Sequence, residues 1–306
     1  MSNPLCPVTG EPAVRLVQWV DAGLLGEMWR IVFKTDAYPS FRGTRRFGLW
    51  QSPTGLYFFD PPFAGDHDFY RQRYGYEVLH GVWDRAAERD EYAIVAGYLR
   101  PGDRVLDVGC GNASFRAVIP QTHYVGLDPN MGKVIAGVVA ETLTDHLAAH
   151  AGEYDAVCAF QVIEHVEDPR AFFAEMLRAA KPGGLAVLGV PHVPSAMARI
   201  PNFLINAPPH HLTWWTKEAL AQLATRAGAT VVAIETAQWT AYDAMVYWIE
   251  RFSLVRCRDE RYRHSWWWHA ANLLSFYPAR LMHALRIVPK RRDEGAGLVL
   301  IARKAS

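Results

Sequence analysis

A chain of 306 residues has the length of two average domains or of one enlarged enzyme domain. Half of it is hydrophobic and 21% is charged, which is ordinary globular composition and excludes disorder; Lys+Arg 32 against Asp+Glu 31 gives no basic excess for holding nucleic acid. Apolar runs such as 134–140 fall far short of the ~18 residues of a membrane span. The opening MSNPLCPVTGEP lacks the basic start and apolar stretch of a signal peptide, and Cys6, Cys110, Cys158 and Cys257 are scattered with no CxxC pair. A reduced, cytoplasmic setting is expected.

Residues 1–80 are rich in aromatics, Gly and Pro and poor in periodicity, and read as a lead-in region with a possible lid. Tyr70 and Tyr74, four apart, either fold over a ligand or pack a helix. A helix is expected from about Gly81 to Leu99, stopped by Pro101-Gly102. From Arg104 short apolar runs alternate with helical patterns, the signature of a parallel sheet with crossover helices: 104–109, 123–128, 154–160, 185–190, 230–235 and 298–303. Asp168-Pro169 starts one helix as N-cap and first-turn proline, and Thr216 starts another that stops at Gly228. The core should therefore occupy 81–236. Residues 237–296 form an insertion before a final strand at 297–306. The insertion carries Trp266-Trp267-Trp268, a helical stretch near Ala270 to Ile287 and late basic residues. It reads either as a helical cap packed on the sheet or as a membrane-surface element at the inner face of the membrane.

The densest chemical signal is VLDVGCGNASF, 105–115. An apolar strand ends in Asp107 and runs into Gly109-Cys110-Gly111, where the backbone must turn sharply and let a ligand approach without a Cβ. A second strand ends in Asp128, 17 residues after Gly111, placed to accept the hydroxyls of a ribose. A dinucleotide would want glycine where Ser114 stands, and Asp107 would repel its pyrophosphate while attracting a cation. Ribose plus a positive centre describes S-adenosylmethionine.

With these residues the chain resembles the class I S-adenosylmethionine-dependent methyltransferases. The resemblance rests on VLDVGCGN (105–112), GLDP (126–129), EYDAVCAFQVIEHVEDP (153–169) and LRAAKPGGLAVLGVPH (177–192). It implies an α/β fold with a doubly wound, seven-stranded Rossmann-like sheet whose last strand is antiparallel. It implies a cofactor site of Asp107, Gly109, Cys110, Gly111, Asn112, Asp128, Pro129 and Gln161, with Tyr70 and Tyr74 over it. More narrowly, CPVTG (6–10), SPTGLYF (52–58), FYRQRYG (69–75) and PPHHLTWWT (208–216) are similar to a bacterial branch that modifies sugars and surface polysaccharides. That branch carries N-terminal zinc knuckles. Here only Cys6 remains, with Thr9, Gln51 and Thr54 in the other places, so no metal is expected. The family's third loop glycine is Ala113, and only 26 residues separate Asp128 from Tyr154, so the third strand is expected within Val134 to Val139, with Glu141 or Thr142 near the adenine.

Methyl transfer asks the protein for alignment, exclusion of water and, for a hydroxyl acceptor, a base. The candidates are His210 and His211, set after Pro208-Pro209 and beside Trp214 and Trp215, then His192 after the 185–190 strand, and Gln161 at a strand end. Glu164-His165 invites a metal reading, but no second pair at metal spacing accompanies it, and a role in orienting its loop is expected instead. The expected activity is methylation of a small-molecule or glycan-linked acceptor, a hydroxyl first. The alternative is an inactive, methyltransferase-like binding module.

Overall fold

The computed structural model describes residues 3–79, 88–130, 134–290 and 294–306, with side chains left out over 74–79. In chain order come β1 (Arg15–Asp21), α1 (Ala22–Phe33), β2 (Arg46–Gln51), β3 (Tyr57–Asp60), α2 (His67–Leu79), α3 (Asp90–Ala96), β4 (Arg104–Val108), β5 (His123–Leu127), β6 (Val138–Val139) and α4 (Leu143–His150). Then follow β7 (Tyr154–Phe160), α5 (Pro169–Ala179), β8 (Ala180–Pro191), β9 (Thr213–Trp214), α6 (Lys217–Arg226), β10 (Thr230–Ala237), α7 (Ala244–Phe252), α8 (Trp266–Ala284) and β11 (Gly297–Arg303).

Seven strands form one sheet in the order β10-β11-β8-β7-β4-β5-β6. β4 pairs in parallel with both β5 and β7, and β11 runs antiparallel between β8 and β10. This is the doubly wound arrangement expected, with the last strand reversed. Its central strands are continuous apolar runs because helices cover both faces. On one face Phe173, Met176, Leu177, Leu220 and Leu223, from α5 and α6, pack on the sheet; on the other Tyr92, Val95 and Phe115 do so. Asp168 caps α5 by accepting from the Arg170 and Ala171 amides, and Thr216 caps α6 through the Ala219 amide. Strand order reverses between β4 and β7, and this switch point opens the crevice where ligands bind in such sheets.

Three expectations shift. The third strand is only β6, at the tail of the 134–139 run, because Val134 is exposed. The 81–99 helix is seen from Asp90 to Ala96 as α3; residues 80–87 lie outside those described. The N-terminal region is more ordered than its weak periodicity indicates: β1, β2 and β3 form an antiparallel sheet that takes β9, from the distant 191–215 loop, as its fourth strand. Its core joins Leu25, Trp29, Phe47 and Phe59 to Val193, Trp214 and Tyr262. At the knuckle positions the turns persist on hydrogen bonds alone. Cys6 Sγ accepts from the Val8 and Thr9 amides (both 3.4 Å), and Ser52 and Thr54 share a hydroxyl contact of 2.9 Å.

The insertion holds two helices where one was read. α7 was not anticipated, and α8 begins at Trp266, capped by Ser265, and ends at Ala284. α8 lies against α7 through Ala271, Ser275 and Ala279. Arg199 ties the insertion to the core through Glu250 (3.1 Å) and Glu294 (2.6 Å).

Candidate functional site

Beyond β4 the chain turns through Gly109 (φ +68°), Gly111 (φ +53°) and Ala113 (φ +58°). The Gly109 and Cys110 amides are spent on the Leu127 carbonyl (2.7 and 3.0 Å), which fixes the turn to β5. Asp128 accepts from the Gly111 amide with one oxygen and from the Asn130 amide with the other (both 2.9 Å). It is half-buried, so lone pairs remain for a ribose. A Cβ on Gly109 would meet Val162 at 2.6 Å, whereas one on Gly111 would meet nothing within 4 Å. The first glycine is needed by the protein wall, and the second leaves open space. Asp107 is buried and accepts from the Tyr124 hydroxyl at 2.8 Å; burial pushes its carboxyl up to about 7, with Asp128 and Glu91 adding to the rise. Two carboxylates around a bend with no basic residue suit an adenosyl sulfonium and disfavour a pyrophosphate, so S-adenosylmethionine fits these residues. Burial pushes the Cys110 thiol up to about 12. Asn112 accepts from Ser114 within the turn, and Pro129 is exposed beside Asp128. Glu141 and Thr142 are committed to α4: Glu141 pairs with His146 (2.5 Å), and Thr142 caps the helix.

Gln161, at the end of β7, has φ +58°, a left-handed conformation that a non-glycine residue adopts only when its surroundings impose it. Its amide donates to the Gly189 carbonyl (2.7 Å), and its side chain donates to Glu91 (3.2 Å). Glu91 is buried, paired with Arg89 at 2.8 Å, and Arg89 also donates to Tyr242 (3.0 Å). Arg89 Nε is buried with no hydrogen-bond partner. Sequence reasoning missed this pair, because charged residues opening a helix look like a solvated face. Glu164 is fully buried, its carboxyl supported by its own backbone amide, and burial pushes it up to about 8.

The histidines separate into two places. His165, His210 and His211 converge: ring centroids are 4.4 Å apart for His165–His210 and 4.8 Å for the other two pairs. Tyr70, from α2, meets His165 at 6.0 Å and His210 at 6.1 Å. Tyr74 lies in α2, and its side chain is outside the described residues. The rings flanking His210 are Trp29 (5.9 Å) and Phe69 (6.4 Å) rather than the expected tryptophans. Trp214 donates to the Asn206 carbonyl and packs on Tyr57, and Trp215 is buried in the main core. His192 stands apart, with Lys217 and Glu294 as its charged neighbours. Burial pushes His165 down to about 4 and holds His210 and His211 well below the usual imidazole value, with Arg73 nearby lowering all three. All three are neutral at pH 7.

Ring nitrogens of this trio lie within 4.8 Å of one another, close enough to raise a metal reading that sequence spacing had not supported. His210 and His211 lie with 20° between their ring planes, and two of the three rings already have polar partners. His165 is held by the His210 carbonyl (2.6 Å) and by the Gln161 backbone, and His211 Nδ1 contacts Asn206 Oδ1 (3.0 Å). His210 Nδ1 alone of these is buried without a hydrogen-bond partner.

Fold and site together define a class I α/β methyltransferase architecture. Residues 73–234, more than half the chain, match the family described as a methyltransferase domain, and the protein belongs to that family, whose methyl donor is S-adenosylmethionine. Over 97 residues it is 34% identical to the ubiquinone biosynthesis O-methyltransferase of Cronobacter sakazakii and 33% to that of Escherichia coli K12; each match spans 27% of this chain and 40% of the relative. Among solved structures, the 1,6-didemethyltoxoflavin-N1-methyltransferase of Burkholderia thailandensis, with S-adenosylhomocysteine bound, is similar at 16% identity over 86% of this chain and 97% of that one (TM-score 0.49). An S-adenosylmethionine-dependent methyltransferase of Thermotoga maritima is similar at 19% identity over 77% and 98% (TM-score 0.46).

Proposed function

We propose that this protein transfers a methyl group to a hydroxyl of a small-molecule or glycan-linked acceptor in the cytoplasm, with His210 as the base. The observation that carries the base assignment is the His210 Nδ1, buried and unpartnered in a group of neutral imidazoles that shares the β7 strand end with Gln161. The partial likeness to ubiquinone O-methyltransferases supports a hydroxyl acceptor. The PPHH segment and the degenerate knuckles support a glycan-linked one. Free Cys6, Cys110, Cys158 and Cys257 suit a reducing compartment.

When bound, S-adenosylmethionine supplies a methyl already activated by its sulfonium. Asp128 would hold the ribose, and Asp107 beside the bend would favour the positive charge. The Trp29 and Phe69 rings exclude water around His210. His210 Nδ1 would take the acceptor's hydroxyl proton as a carbon–oxygen bond replaces the donor's sulfur–methyl bond, with S-adenosylhomocysteine as the leaving group, and burial keeps this imidazole in its accepting, neutral form. His211 and His192 are the second candidates, and Gln161 positions the acceptor from the strand end.

Calorimetry with S-adenosylhomocysteine tests the donor site. The intact protein should bind, and Asp128→Ala should weaken binding about 30-fold (~2 kcal/mol). No binding by the intact protein rejects the assignment. His210→Gln should leave that affinity unchanged and lower transfer of labelled methyl about 100-fold. Transfer to any acceptor by the intact protein eliminates the binding-module alternative.

A further inference from the structure

We propose that the outer face of α8 is a docking surface for an anionic lipid bilayer, on which the protein lies without crossing it. An ordinary surface helix buries its large apolar side and shows its small or polar side. α8 does the reverse. Its buried residues are Ala271, Ser275 and Ala279, which let it approach α7 closely. Trp266, Leu273, Leu274, Tyr277 and Leu281 are each between 57% and 79% exposed. At 3.6 residues per turn these five fall within about 100° of arc, opposite the buried three. Leu285 and Ile287 continue the exposed apolar surface past the helix end. A stripe of this kind in water is unfavourable unless something covers it.

Charge identifies the cover. From Trp266 to Arg292 the sequence holds no Asp or Glu, while Arg280, Arg286, Lys290, Arg291 and Arg292 fall within it. Arg280 is exposed beside the stripe, Lys290 is exposed beyond the helix, and Arg286 reaches back to Glu88 (2.9 Å). An apolar face with tryptophan at one end and the exposed Arg280 and Lys290 toward the other matches the boundary between acyl chains and anionic headgroups. No helix among the described residues is long and apolar enough to cross a membrane. The inference stands whether or not the methyl acceptor is carried by the lipid.

Sedimentation with vesicles tests it. The full-length protein should pellet with phosphatidylcholine vesicles containing phosphatidylglycerol and much less with phosphatidylcholine alone. The Leu273→Glu/Leu281→Glu pair should abolish pelleting while S-adenosylhomocysteine binding is retained. Arg280→Gln with Lys290→Gln should weaken vesicle affinity about 30-fold (~1 kcal/mol per charge) and leave the protein's fold unchanged by circular dichroism. Failure of the intact protein to pellet with phosphatidylglycerol vesicles overturns the proposal. So does a dimer in light scattering that the two-glutamate variant dissolves, since a second copy would then be the cover.

Discussion

At the scale of single residues, Asp107 is a carboxyl that is 2% exposed with one hydrogen bond, from Tyr124, and burial keeps it protonated up to about pH 7. S-adenosylmethionine carries a sulfonium that favours the ionised form, whereas S-adenosylhomocysteine is uncharged at sulfur. Below about pH 7 binding of the cationic cofactor must therefore expel a proton. The affinity ratio of S-adenosylmethionine to S-adenosylhomocysteine should rise with pH, by up to about tenfold per unit, and level off above about 7. Calorimetry across this range checks it, and Asp107→Asn should flatten the profile. Asp107 and Asp128 were legible in sequence because each sits at the end of an apolar run. Arg89 and Glu91 were not, since only the packing of α3 against the sheet shows that Glu91 is buried and Arg89 largely covered.

The element that matters most is the turn between β4 and the short helix at 114–117. Its two glycines answer different demands. Gly109→Ala would place a Cβ 2.6 Å from Val162 at φ +68°, so we expect a loss of about 2 kcal/mol or more of folding stability, read by urea unfolding. Gly111→Ala meets no protein atom, and its φ of +53° costs only ~1 kcal/mol; its Cβ projects into the open space above the turn. That variant should stay folded and lose S-adenosylhomocysteine affinity in calorimetry. The strands around this turn were readable because a parallel strand covered on both faces is a continuous apolar run. β6 was readable only as the wider 134–139 run and β9 not at all, because two residues carry no period.

For the molecule as a whole, several buried acids set the response to pH. Asp107 and Asp243 are pushed up to about 7 and Glu164 to about 8, burial being the first cause in each. Each binds a proton in the folded state that it has already released when unfolded, so the contribution of these acids falls as pH rises through these values, while the buried neutral His165, His210 and His211, which protonate more readily when unfolded, oppose it below about 6.5. Glu164 is fully buried, and Glu164→Gln should remove its share of the fall between about 4.5 and about 8. Urea titrations at stepped pH read this as a shallower slope for the variant. An unchanged slope would place the effect on other groups.

Local patterns reach as far as the chain's own neighbours. From sequence alone come the alternation of strand and helix, the caps at Asp168 and Thr216, the glycine bend and its two carboxylates, since each depends on residues a few positions apart. What tertiary structure decided are the meetings across the chain. β9 joins the N-terminal sheet, His165 meets His210 and His211 some 45 positions on, and α8 turns its alanines inward and its large side chains out. Periodicity names the faces of a helix or strand, but which face is covered depends on the partner that the rest of the fold delivers.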